Sequence, residues 1–341
     1  MSAAEKSLFS DLLRQSDSGA NETTLFSHAA FEILNGRSSG NLSPYMYASP
    51  LGANDAVNGE ELFNRLCNHP AYYLRNAEAE LIQTCRHAFA DLVGEKVTLI
   101  DLGTGPLESV QKKPLPLLQA LVNPTAYVGV DYCRHYVDEA VAAVANQFPG
   151  LPVLSLNTDF TQATDLAQNF HNPVFLLLGN VVGNFPYSPI YPNPDAVAFL
   201  QKIKNAMGHR GLLVVGQDCN QILSTLLAAY QNEAAANWML NLLHRLRRDA
   251  RVQLNVEAFD YYAEWNERNY CMEMGVSSRV NQLITMWGRS FPLKAGQKLH
   301  MWNSYKYSSL LFQELGQQAG FEPVAVFANK QRTSAIHIFR P

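Results

Sequence analysis

The sequence predicts an α/β protein, a largely parallel sheet flanked by helices and joined to a second, discontinuous α+β domain. Three observations predict it. Apolar strand-like runs near 97–102, 127–131, 152–156, 173–178 and 211–217 alternate with helical stretches, the order that builds a parallel sheet. At 341 residues the chain exceeds the ~250–300 at which a single core stops growing. After Asp218 the alternation gives way to a long helical stretch ending near Arg248, then to a mixed β-like segment from Phe259 to Trp302.

The elements follow in order. Residues 7–34 carry apolar groups at helical spacing, and Gly36-Arg37-Ser38-Ser39-Gly40 reads as a loop. Helices are expected over about 60–68 and 76–93, the second placing Leu81, Ile82, Cys85, Phe89 and Leu92 on one face. The five sheet strands come next, and a helix near 310–319 precedes two more strands, Pro323–Ala328 and Ser334–Phe339. A dehydrogenase-type fold would add a parallel sixth strand, so a terminal pair separated only by polar residues points instead to a seven-stranded, Rossmann-like sheet.

The chemistry concentrates at the first strand end. Val97–Leu102 runs into Gly103-Thr104-Gly105-Pro106, an apolar strand followed by a turn whose glycines let backbone approach a ligand. Tyr127-Val128-Gly129-Val130-Asp131 ends the next strand in an acid, where a ribose-binding carboxylate would lie. A nicotinamide cofactor needs a third glycine beneath its pyrophosphate, and Glu108 occupies that position. S-adenosylmethionine has no phosphate and carries a cationic sulfonium, so Asp101 and Glu108 are compatible with it. Asp159 would accept the adenine amino group, with Phe160 as a wall. Gly179–Asn184, after the fourth strand, would face the transferred methyl. Taken singly, Asp101 and Asp131 are also ordinary strand-end acids, and Asn184 an ordinary turn former.

Composition narrows the function. Net charge is −4 and no Lys/Arg-rich block occurs; His244-Arg245-Leu246-Arg247-Arg248 reads as the solvated end of a helix, so nucleic acid is not expected as a partner. No leader and no run of ~18 apolar residues is visible, which predicts a cytoplasmic protein without a membrane span. Five scattered cysteines and nine histidines without ligand spacing predict reduced thiols and no metal.

The chain resembles the histidine-specific Nα-methyltransferases of ergothioneine biosynthesis and their fungal relatives acting on tryptophan-type amines. The likeness is carried by Tyr45-Met46-Tyr47, Glu61-Leu62-Phe63 and Pro70-Ala71-Tyr72-Tyr73, with Glu78 five residues further on. Within the sheet the Leu-Gly-x-Gly turn, Asp131, Thr158-Asp159-Phe160 and Gly179–Asn184 match in order. Ala228-Ala229-Tyr230, Glu257-Ala258-Phe259, Ala263-Glu264-Trp265 and Met272-Glu273-Met274 follow. The resemblance implies a class I S-adenosylmethionine-dependent methyltransferase fold over 81–219 plus 306–341, and a substrate domain from 1–80 plus 220–305. It implies that Tyr47, Gly103, Gly105, Asp131, Asp159 and Phe160 bind S-adenosylmethionine. Asn184 and Tyr230 would hold the amino and carboxylate groups of an amino acid as the catalytic pair, and Tyr72 would line the side-chain pocket.

One departure bears on the substrate. The histidine enzymes read the imidazole with a Glu two residues before a Ser; here Trp302 stands at the Glu position and Ser304 remains. An indole cannot replace the charge-assisted bond of a carboxylate. The expected acceptor is therefore an aromatic or apolar amino acid, or a related small amine, with Met274 as a further pocket residue. A register one residue later would place Asn303 in the pocket instead. Tyr72, Trp302 and Met274 are each also ordinary core residues when taken alone. The alternatives are a small-metabolite O- or ring-N-methyltransferase and an S-adenosylmethionine-binding protein without activity.

Overall fold

The computed structural model describes residues 19–36, 42–47, 59–161, 166–168, 170–186 and 195–341. It divides into two compact units, and the first comprises the described residues of Leu74–Asn220 with Tyr307–Pro341.

The first unit holds β1 (Thr98–Leu102), β2 (Ala126–Asp131), β3 (Val153–Asn157), β4 (Pro173–Leu177) and β5 (Leu212–Asp218). β1 pairs in parallel with both β2 and β4, β2 with β3, and β4 with β5. The final strand, Ser334–Arg340, runs antiparallel to β5 and also antiparallel to Glu322–Ala328, which forms one edge. The sheet thus has seven strands in the order expected of a class I methyltransferase, with the reversal between β1 and β4. Ligands of open α/β sheets bind at the carboxyl ends of strands flanking such a reversal.

The inner strands form because their apolar runs are buried on both faces. Leu99, Ile100, Val174, Phe175, Leu176, Leu177, Leu213 and Val215 are all 0 % exposed. Helices Leu74–Val93 and Arg134–Gln147 cover the sheet through Ile82, Phe89, Val137, Ala140 and Val144. Leu74–Val93 is one continuous helix within this unit, so the unit boundary falls at Tyr73/Leu74 rather than near 80.

The second unit comprises the described residues of Asp17–Tyr73 with Gln221–Lys306. Gly19–Leu34 is helical, and positions 7–18 of the expected helix lie outside the described residues. The long helical stretch is two helices, Leu223–Tyr230 and Glu233–Arg248. Asn232 divides them, because its side chain caps the second helix by accepting from Ala235 N at 3.0 Å. The basic cluster is not simply solvated: Arg245 is buried, donates to Tyr45 O and pairs with Asp249 at 2.9 Å. β6 (Phe259–Asn266), β7 (Cys271–Ser278) and an eight-residue partner, Lys298–Tyr305, form an antiparallel sheet with β7 at its centre. Gln282–Met286 and Arg289–Leu293 make a separate hairpin.

Candidate active site

In the first unit the site is organised by Asp131 at the end of β2. Its Oδ2 accepts from Gly105 N at 3.2 Å and Thr104 Oγ1 at 3.4 Å, and its Oδ1 accepts from Cys133 N at 2.8 Å. One buried carboxylate therefore ties the glycine turn after β1 to the turn after β2. Gly103 and Gly105 have φ of +81° and +63°, a backbone that favours glycine, and a side chain at Gly105 would meet no atom within 4 Å. Phe160 lies beside Gly103, its ring 3.6 Å from where a Cβ would stand. Asp159 is exposed and accepts from both the backbone N (2.8 Å) and the hydroxyl (2.7 Å) of Thr161. An open glycine turn backed by an acid and an aromatic ring suits a ribose and a base, so these residues fit the nucleoside part of S-adenosylmethionine.

The two acids credited with favouring a sulfonium are otherwise engaged. Glu108 pairs with Arg75 at 2.9 Å and Lys112 at 2.8 Å. Partial burial pulls its carboxyl upward, but Lys112 and Arg75 outweigh this and hold it below its usual range. Its charge is compensated, so Glu108 itself gives no preference for a cationic sulfonium. Asp101 is buried and accepts from Tyr127 Oη at 2.9 Å. Burial pushes its carboxyl up to about 7, against the opposing effects of the Tyr127 bond and of Lys113.

That shift has a consequence for stability. Because the folded pKa lies above the ordinary value of 3.8, folding favours the protonated acid; the contribution is full below pH 3.8 and lost as pH rises through about 7. Asp101→Asn, which still offers Tyr127 an acceptor, is expected to flatten the fall in denaturation midpoint between about pH 4 and 7. An unchanged slope would show that Asp101 does not titrate there.

Beneath the turn after β4 lies a pair that the sequence did not reveal. Glu78, on helix Leu74–Val93, accepts from Gly179 N through both oxygens at 2.9 and 3.1 Å and forms a buried ion pair with Lys113. Gly216 makes room for it, since a Cβ there would overlap Glu78 Oε1. Asn180, at φ +58°, accepts from Asp218 N at 3.1 Å and so anchors the same turn to β5. Asn184 closes the short 3-10 turn Val181–Asn184 that follows.

In the second unit the structure gathers the remaining candidates. Tyr230 Oη and Ser304 Oγ lie 3.0 Å apart, and Lys306 Nζ donates to both, at 2.8 and 3.0 Å. Trp302 meets Tyr230 (centroids 6.3 Å) and Trp238 (5.5 Å) edge-on, while Tyr72 meets Tyr230 at 6.0 Å. Met274 stands opposite Trp302 in the sheet register. Tyr47 packs with Phe63 and Trp238 in this unit, whereas the other proposed donor-binding residues belong to the first. Asn303 bonds His300 Nε2 at 2.7 Å and Tyr305 Oη at 3.4 Å, so it engages a set separate from the Tyr230 group. Alternation along Lys298–Tyr305 accounts for this: Trp302 and Ser304 share a strand face and Asn303 takes the other.

The same alternation could have pointed to Lys306, two positions beyond Ser304. A lone lysine after a strand ordinarily signals solvent, yet this one is 0 % exposed. Among the described residues no cluster of His, Cys, Asp or Glu could hold a metal, and no helix is long and apolar enough to cross a membrane.

Comparison with known proteins bears on this arrangement. The model of the family described as histidine-specific methyltransferase, SAM-dependent, matches residues 49–341. The chain is 26 % identical over 235 residues to a histidine N-alpha-methyltransferase of Mycolicibacterium smegmatis, covering 67 % of this chain and 70 % of that protein. A histidine N-alpha-methyltransferase of Mycobacterium tuberculosis is 26 % identical over 231 residues, covering 66 % and 68 %. A 4-dimethylallyltryptophan N-methyltransferase of Epichloe festucae var. lolii is 23 % identical over 296 residues, covering 78 % and 82 %.

Proposed function

Since the chain belongs to the family of histidine-specific, S-adenosylmethionine-dependent methyltransferases, we propose that it methylates the amino nitrogen of a free amino acid or related small amine with an aromatic or apolar side chain. The observation that carries this reading is Trp302. It packs edge-on against Tyr230 and Trp238 and lies beside Ser304, at the position where the resemblance puts the imidazole-reading Glu. Bringing an imidazole N–H against that ring leaves a polar group unpaired at about 1–3 kcal/mol. An aromatic side chain instead gains about 0.5–1.5 kcal/mol from ring contacts beyond its burial.

Gly103, Gly105, Asp131, Asp159 and Phe160 hold the donor in this reading, and the resemblance adds Tyr47 to the donor-binding residues. Bound S-adenosylmethionine supplies an electrophilic methyl on a cationic sulfur, which leaves as a neutral thioether. Tyr230, Ser304, Tyr72, Trp302 and Met274 hold the acceptor in this reading, and the resemblance assigns its amine to Asn184. Transfer needs a neutral amine with its lone pair aimed at the methyl, so the residues act by orientation more than by strong basicity. Asn184 and Tyr230 each carry an oxygen that can accept an amine N–H and turn the lone pair. The proton lost from nitrogen passes to water. Such preorientation contributes about 7–11 kcal/mol in favourable cases.

A panel of amino acids and amines, scored by S-adenosylhomocysteine release and by the site of the new methyl, tests the reading. Aromatic acceptors should exceed histidine in kcat/KM, and Trp302→Glu should move the ratio toward histidine by about tenfold or more. A wild type that prefers histidine, or a ratio unmoved by the substitution, would remove Trp302 from specificity. Methyl appearing on oxygen or a ring nitrogen would favour the second enzyme reading, and no turnover with any acceptor would favour a binding protein.

A further inference from the structure

We infer that Lys306 is a positioning residue for the acceptor, fixing the hydroxyl directions of Tyr230 and Ser304; the inference rests on the acceptor site proposed above. The three groups form a closed triangle with sides of 2.8, 3.0 and 3.0 Å. An ammonium only donates, so each hydroxyl oxygen must spend a lone pair on Lys306. The Tyr230–Ser304 edge then consumes one of the two hydroxyl hydrogens. The other must point out of the triangle.

The pair therefore presents one O–H donor and one remaining lone pair on adjacent oxygens. With the ammonium in place only two arrangements remain, with either Tyr230 or Ser304 donating along their shared edge, whereas without it each hydroxyl could rotate among more. Burial makes the effect strong, because Lys306 and Tyr230 are 0 % and 1 % exposed and water does not compete freely for these bonds. The ammonium also lies 4.9 Å from the centre of the Tyr230 ring, which holds that ring in place by cation–π attraction. Tyr261 Oη donates to Tyr230 O at 2.9 Å, so the residue is held at its backbone as well as at its hydroxyl.

Lys306→Met keeps the length of the stem and removes the donors. It is expected to lower acceptor kcat/KM by about 10- to 100-fold, the scale of a misplaced reacting group. The dissociation constant for S-adenosylhomocysteine should stay within about twofold, since no donor-binding residue is altered. Lys306→Gln, with two amide N–H donors, should recover about tenfold of the loss. In a Tyr230→Phe background, Lys306→Met should cost clearly less than it does in the wild type, because one of its two partner hydroxyls is already gone and only Ser304 remains to be fixed.

Wild-type acceptor kinetics in Lys306→Met, equal impairment of the Gln and Met variants, or additive losses with Tyr230→Phe would each overturn the inference. If Lys306→Met does not fold, the cycle is run with Lys306→Gln: coupling to Tyr230→Phe supports the inference and additivity overturns it. Unchanged acceptor kinetics in Tyr230→Phe itself would refute the acceptor site. An impaired Tyr230→Phe that is additive with Lys306 would refute the positioning role alone.

Discussion

Glu78→Ala is expected to destabilise the protein by about 3–5 kcal/mol, because it leaves the Lys113 ammonium buried without its carboxylate. The two side chains are 6 % and 7 % exposed, and the same carboxylate caps Gly179 N through both oxygens. The substitution thus strands a charge and a backbone donor together. Glu78→Gln keeps an acceptor for Gly179 and should cost less. Replacing both partners, as Glu78→Leu with Lys113→Met, should recover much of the loss, since an apolar pair leaves no stranded charge. Chemical denaturation at constant slope reads these differences. A shift under about 1 kcal/mol for Glu78→Ala would mean that the pair behaves as a solvated one.

The second large effect is expected at Asp131. Its carboxylate holds Gly105, Thr104 and Cys133, so Asp131→Ala releases the glycine turn and removes the proposed ribose acceptor in one step. Binding of S-adenosylhomocysteine should weaken by about 1.5–3 kcal/mol. Calorimetry on the variant and the wild type checks this, with acceptor affinity measured in parallel. Undiminished donor affinity would place Asp131 outside the donor site and leave it a purely structural tie between two turns.

What the sequence disclosed follows from the physics of each element. The strands of the parallel sheet were legible because burial on both faces demands unbroken apolar runs such as Val174–Leu177. The division at Asn232 was also written in the chain, as an Asn cap followed by Glu233 in the first turn, but helical periodicity on both sides masked it. Glu108 could be located but only half understood: Lys112, four residues on, is a partner its own helix offers, whereas Arg75 comes from a different helix. Asp131 was placed at its strand end by pattern alone, whereas its ties to Gly105 and Cys133 needed the turn conformations. Glu78–Lys113 and Lys306 were not legible as partners: a charged residue in a helix or after a strand reads as solvated until the tertiary fold closes around it.

The placement of Ser334–Arg340 carries a consequence for biogenesis. This strand lies between β5 and Glu322–Ala328 and pairs Ser334 with Asp218. Throughout synthesis of Gln221–Lys306, β5 therefore lacks the strand that covers its edge in the folded chain, and that edge is apolar on both sides. A ribosome that pauses in that interval displays the nascent chain at its most adhesive, and chaperone demand should be concentrated there rather than spread evenly along translation.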